Sequence, residues 1–505
     1  MHPSHLLALP HFTFPQTDRS YAPAPCPDAT SPQLLSSAHR TLDASNADFF
    51  YVPTYLACTI LPVYDWVGPG PYSHGYPMRP VTAMRMSYDA LEQVRTRWPY
   101  FNQSVERIRN AKAAGATGAA LLPNHIFLFA HDEGACWAPQ ELFEHSIILT
   151  HWGRMDARPQ SSSRYIPDNW EHAWFAVERA PNGQRWGFER GGRLGSRGMI
   201  GTHPCYDPLK DIVIPVYSPP SNWWRSPLVL ESSPHQEQPQ QQQQQGGVAT
   251  GAAAAAEAGA TRSAYSGTGA ADNEDEEAQM WAAARSMLNA PRPTLAYFSG
   301  NLAVNEPLKY ARGVRHRLRA AFRGKPGWKL VGKAGSAYSV DLGSSEFCLV
   351  PPGGDGWSSR VDDSVRHGCI PVIIMDNVHL PFETSLNYSS FAIRVREADV
   401  EQIDAILRSV PSEVRRAMRL AMRRIWTRFV YARSFVDADA YLGGGSSVTA
   451  SSERRVLPRS FLQDPPVRSV ADAMNRGAPD ALDTIMLELA LRLETSQERQ
   501  AHQAR

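Results

Sequence analysis

Short apolar runs on consecutive rather than alternate positions recur along the first half of the chain. Phe49-Phe50-Tyr51-Val52, ended by Pro53, has the form of a buried strand. His125-Ile126-Phe127-Leu128-Phe129-Ala130 is a longer example, followed by Ser146-Ile147-Ile148-Leu149-Thr150 and by Ile212-Val213-Ile214-Pro215-Val216. Strands that are apolar at every position are buried on both faces, which predicts a parallel sheet covered by helices. Leu91, Val94, Trp98, Val105 and Ile108 fall at helical spacing and predict one helix over 87–112.

A second block repeats the alternation. Thr294-Leu295-Ala296-Tyr297-Phe298-Ser299-Gly300 reads as a strand, and a basic helix follows over 308–322. From Phe347 to Ile374 the order is strand, glycine loop, short helix, glycine stop, strand: a β-α-β unit whose crossover is right-handed by default. Residues 397–431 read as helical, with Val414, Met418, Ala421, Ile425 and Phe429 forming an apolar stripe among arginines. That stripe fits a helix docked on a core better than a nucleic-acid or membrane-surface helix.

Between the blocks lie a glutamine run (Gln240 to Gln245), an alanine run (Ala252 to Ala256) and an acidic cluster from Asp272 to Glu277. This composition buries too little apolar surface to offset ordering entropy, so it reads as a disordered insertion. The predicted organisation is a loosely ordered lead-in (1–45), an α/β domain (46–232), a low-complexity linker (233–290), a second α/β domain (291–432) and a tail (433–505) with one helix near 470–494.

Composition narrows the function classes. The chain has 505 residues, and 51 basic against 50 acidic side chains leave a net charge of +1, which gives no footprint for nucleic acid. Pro3 and Pro10 interrupt the apolar start, so no signal or membrane segment is visible. Six cysteines are spread without a CxxC pair, which excludes zinc-knuckle spacing and leaves disulfides open. The sequons Asn102-Gln103-Ser104 and Asn387-Tyr388-Ser389 are compatible with secretion.

Two stretches could carry chemistry. Gly353, Gly354 and Gly356 let backbone approach a ligand, and Ser358 or Ser359 can cap the helix that opens at Arg360. Such a helix start with Arg360, expected to be exposed, suits a diphosphate, and Asp363 could accept hydrogen bonds from ribose hydroxyls. The competing reading is a tight turn with an Arg–Asp surface pair. Asp132 and Glu133 follow His131 beyond the strand ending at Ala130, where α/β sheets bind ligands, and either could act as a general base. The competing reading there is a polar strand exit. Asp437-Ala438-Asp439 matches a DxD pattern but follows no predicted strand, so it is taken as chance.

Several of these motifs together resemble the exostosin-like glycosyltransferases, the group of heparan-sulfate polymerases and many plant cell-wall transferases. They are Phe347-Cys348-Leu349-Val350-Pro351, Gly353, Ser359-Arg360 with Asp363, Gly368-Cys369-Ile370-Pro371-Val372-Ile373 and Leu380-Pro381-Phe382. Upstream, Tyr51-Val52-Pro53, His125-Ile126-Phe127, His131-Asp132, Ile214-Pro215, Phe298-Ser299-Gly300 and Arg315 fit in order. The chain departs from plant relatives in having Glu133 where they carry Trp.

The resemblance implies a GT-B fold, two Rossmann-like domains facing a cleft, and inverting, metal-independent transfer from a nucleotide sugar, with UDP-sugar the expected donor. It implies donor contacts from Arg315, Gly353, Gly354, Ser359, Arg360 and Asp363, and a base at Asp132 or Glu133 acting on a glycan or glycoprotein acceptor. It also implies a lumenal Golgi domain whose membrane anchor is not visible here, and oligomerisation alone or with a paralogue. The alternative is a catalytically silent carbohydrate-binding or scaffold subunit that pairs with an active paralogue.

Overall fold

The consecutive apolar runs form strands of two parallel sheets. A computed structural model describes residues 39–54, 79–130, 134–155, 206–218, 226–228, 292–302, 310–353, 356–431 and 478–503, apart from 334 and 336, with short strands at 6–8, at 178–179 (β6) and at 185–186 (β7). The low-complexity stretch, Asp437-Ala438-Asp439 and most of the lead-in lie outside the described residues.

The first sheet places β1 (Leu6–Ala8), β2 (Phe49–Val52), β3 (His125–Phe129), β4 (Ile147–Thr150) and β8 (Ile212–Val213) side by side, all parallel. Every residue of β2, β3, β4 and β8 is buried, as their unbroken apolar sequences require. The predicted helix over 87–112 is instead two: α1 (Arg79–Arg97) and α2 (Tyr100–Ala113). Pro99 divides them, because a residue preceding proline is pushed out of helical geometry. A shorter helix, α3 (Gln140–His145), leads into β4. Asp211 fastens the mouth of β8 to β4, accepting hydrogen bonds from the Ile148 amide at 2.9 Å and Lys210 Nζ at 2.6 Å.

The second sheet has the order β10 (Trp328–Val331), β9 (Thr294–Ser299), β11 (Ser345–Val350), β12 (Ile370–Ile373), β14 (Ile393–Arg394), again all parallel. Helices α4 (Val314–Phe322), α5 (Tyr338–Gly343) and α6 (Arg360–Arg366) connect its strands. The strand β10 escaped the sequence reading because it is an edge strand with Lys329 exposed, so no continuous apolar run marks it. The stretch 397–431 is divided at Val410-Pro411 into α7 (Ile403–Ser409) and α8 (Ser412–Ile425), again because the residue preceding proline, here Val410, is pushed out of helical geometry. In the tail, α9 (Ala481–Gln503) buries Leu482, Ile485 and Leu489 and sends Arg492 to the Asp211 carbonyl at 2.7 Å.

The two sheets meet beyond the ends of β4 and β12. There β5 (Gly153–Arg154) pairs antiparallel with β13 (Val378–His379). Gly153 is required, since a Cβ would lie 2.5 Å from the His379 carbonyl oxygen. The Phe382 amide donates to the Val213 carbonyl at 3.0 Å, and Tyr431 Oη donates to the Pro215 carbonyl at 3.0 Å.

Cys348 on β11 and Cys369, just before β12, form a buried disulfide packed with Tyr297 and Leu342. It closes a loop with a sequence separation of 21. Among the described residues no helix is long and apolar enough to cross a membrane. A Cys348→Ala/Cys369→Ala double variant should unfold in urea with stability lowered by about 3 kcal/mol, the closure entropy of a loop that size. An unchanged midpoint would show that the bridge constrains little.

Candidate functional site

In a parallel sheet, ligands gather beyond the strand ends where the connections on two neighbouring strands diverge to opposite faces. The order β10-β9-β11-β12-β14 puts that point between β9 and β11. The chain leaves β9 through Gly300 and leaves β11 through Pro351-Pro352-Gly353, so these two exits form the walls of the site.

Two arginines converge on it from different helices. Arg315, in the first turn of α4, is buried; its Nε donates to the Pro352 carbonyl at 2.8 Å and its Nη1 to Asn301 at 3.1 Å. Arg360 opens α6, and its Nε donates to the Ser299 carbonyl at 2.8 Å. Both guanidinium carbons lie over the Phe298 ring, at 5.3 and 4.9 Å. Arg360 is therefore half-buried and tied to the end of β9, in contrast to the exposed side chain expected from the sequence. Carbonyls and a ring face orient the two guanidinium groups toward the same strand ends.

The glycines serve this geometry. At Gly300, with φ +150°, a Cβ would run into the Arg360 guanidinium. Gly353 donates its N–H to the Trp357 carbonyl at 2.7 Å, closing a tight loop, and a Cβ there would strike the same oxygen. Ser359 precedes α6, but its side chain makes no capping bond. Ser358 instead accepts from Arg360 Nη1 at 3.4 Å.

Asp363 lies on the same helix with both oxygens engaged. Arg366 Nη2 donates to Oδ1 at 3.0 Å and Tyr338 Oη to Oδ2 at 2.8 Å. Burial, with Asp363 beside it, pushes the Tyr338 phenol well above its ordinary value, so it remains a donor. A ribose hydroxyl would share this carboxylate with the tyrosine. Gly354, Asp132 and Glu133 lie outside the described residues.

The sequence reading passed over Asp362. This residue is 1% exposed and faces a narrow crevice of about 10 Å³ where the sheets meet, lined also by His151, Trp357, Ser358 and His379. Its Oδ2 accepts the Val216 N–H at 2.8 Å, and its Oδ1 has no hydrogen-bond partner among the described residues. Burial pushes the carboxyl up to about 7, although Arg366 and the Val216 N–H pull it down. His151 stacks on Trp357 with ring centres 5.6 Å apart. Helical spacing was the available signal: Asp362 stands three residues before Val365 and beside Val361, on the arc that helix α6 buries.

Part of the chain is similar to a known family domain. Residues 268–410 match the Exostosin GT47 domain, a span that contains both arginines, the glycine loop and the disulfide. Over that span the chain is similar to the exostosin domain. It is 28% identical over 387 residues to a probable glucuronosyltransferase of Oryza sativa subsp. japonica, covering 75% of this chain and 63% of that protein. It is 27% identical over 387 residues to a probable beta-1,4-xylosyltransferase of Arabidopsis thaliana, again covering 75% and 63%. The chain thus spans about 63% of the length of these relatives.

The carboxyl of Asp362 generates a pH prediction. An ordinary aspartate titrates at 3.8 and this one at about 7, so the folded protein holds an extra proton between those values. Stability should then fall as pH rises from about 4 to about 7 and level off above it. Asp362→Asn keeps an acceptor for Val216 and should flatten that slope in urea titrations. An unchanged slope would assign the titration to another group.

Proposed function

We propose that this exostosin-like chain is a glycosyltransferase that moves a sugar, with inversion, from a nucleotide sugar to a glycan or glycoprotein acceptor. The single observation that carries this reading is the pair Arg315 and Arg360, converging on one strand-end site over Phe298. Two forked cations brought to one strand-end site suit a diphosphate, and a UDP-sugar is the donor we expect. The naming of relatives as glucuronosyl- and xylosyltransferases supports the reaction class.

In this reading the chain adopts a GT-B arrangement. The first α/β unit (46–232) binds acceptor and the second (291–432) binds donor, with Gly353, Gly354 and Ser359 beside the phosphates. As the bond to the anomeric carbon breaks, negative charge grows on the leaving diphosphate. Arg315 and Arg360 stabilise it, the task a metal ion performs elsewhere. Asp132 or Glu133 accepts the proton of the attacking hydroxyl. The buried Cys348–Cys369 bridge favours an oxidising compartment, and we assign the chain to the Golgi lumen, alone or paired with a paralogue.

Thermal unfolding with a panel of UDP-sugars should raise the melting temperature for one donor, by an amount that grows with the logarithm of its concentration over Kd. Arg360→Ala should abolish that shift and lower kcat/KM about 10²- to 10³-fold. Donor-dependent stabilisation without transfer to any glycan would favour the silent subunit. Absence of both would overturn the reading.

The base is tested separately. One of Asp132→Asn and Glu133→Gln should lose roughly 10²- to 10⁴-fold in kcat with donor affinity retained. Small, equal losses would move the search to other residues of the site.

A further inference from the structure

The two sequons differ in how the fold presents them. We propose that Asn387 is an N-glycosylation site, carrying an oligosaccharide on its side-chain amide nitrogen. Asn387 and Ser389 are exposed, whereas the residue between them is an anchor. Tyr388 is 5% exposed, donates its hydroxyl to the Pro381 carbonyl at 2.8 Å and packs on Phe391 with ring centres 4.6 Å apart. Burying the middle residue turns its two neighbours outward.

The turn leaves the nucleophile free. Asn387 Oδ1 accepts from the Ser389 amide at 3.2 Å and from Ser389 Oγ at 2.6 Å. No hydrogen bond engages Asn387 Nδ2 among the described residues. Beside it lies an open hollow of about 400 Å³, lined by Glu383, Leu386, Ala392 and Arg394 as well as the sequon. Its polar rim gives the first sugar hydroxyls partners on the folded surface.

Asn102 offers none of this. It sits in α2, its Nδ2 donates to the Arg95 carbonyl at 3.3 Å, and Ser104 is 3% exposed in the core. A sequon is read as an extended segment with its hydroxyl accessible, and this one is wound into a helix with its serine inward.

The compartment in which this chain matures follows from its disulfide, whatever reaction it catalyses. A buried disulfide between neighbouring strands forms in an oxidising lumen, where nascent chains also meet lipid-linked oligosaccharide. In the transfer, Asn387 Nδ2 attacks the anomeric carbon of a polyprenyl-pyrophosphate oligosaccharide. The C–N bond forms, the C–O bond to pyrophosphate breaks, the amide proton passes to a base of the oligosaccharyltransferase, and the lipid pyrophosphate leaves.

The test is peptide mapping of the full chain, expressed behind a secretory leader in eukaryotic cells and treated with a glycan-releasing amidase in heavy-oxygen water. Molecules with Cys348–Cys369 closed should carry label at Asn387 and not at Asn102. Ser389→Ala should remove one glycan's mass, Ser389→Thr should retain it, and Asn102→Gln should leave the mass unchanged. Disulfide-closed chains with a bare Asn387 would overturn the assignment, and so would equal occupancy at Asn102.

Discussion

The contact on which the arrangement turns is the hydrogen bond from the Val216 N–H to the buried carboxyl of Asp362. Val216 continues the chain beyond β8 of the first sheet, and Asp362 sits in the helix that follows the glycine loop of the second. A backbone donor of one half is thus satisfied by a side chain of the other, 146 positions away. Burying a carboxyl with one oxygen unpaired is expensive, and the rise of its pKa is the form that expense takes. The pairing of β5 with β13 and the Phe382–Val213 bond lie alongside and hold the geometry in which the bond can form.

What the sequence made legible follows from how local each signal is. Strands β2, β3, β4 and β12 announce themselves because burial on both faces favours apolar residues at nearly every position, and β9 and β11 through their buried ends Ala296–Ser299 and Phe347–Val350. Arg360 and the glycine loop are legible for a similar reason: Gly300 and Gly353 leave the space that the arginine and the loop carbonyl occupy. The helix breaks at Pro99 and Pro411 were open to inspection, but the helical periodicity on either side obscured them.

Other features depend on partners that no local pattern names. Tyr338 meets Asp363 across 25 positions, so the engaged state of that carboxylate is a tertiary fact. Asp362 is charged by type and buried by position, and only its contact with Val216 explains why. The edge strand β10 is half solvated and so resembles a loop in composition.

The two arginines also differ in what a ligand would ask of them. Arg315 is buried, with its Nε and Nη1 already spent on Pro352 and Asn301, so it is oriented before anything binds. Arg360 is half-buried and tied to Ser299 through Nε and to Ser358 through Nη1, so it too is oriented from within its own domain. Fixed dipoles and charges that need no reorganisation are the most effective stabilisers of a developing anion. The crevice at Asp362, with room for about one water, cannot admit a sugar as it stands. Neither Arg315 nor Arg360 lines that crevice.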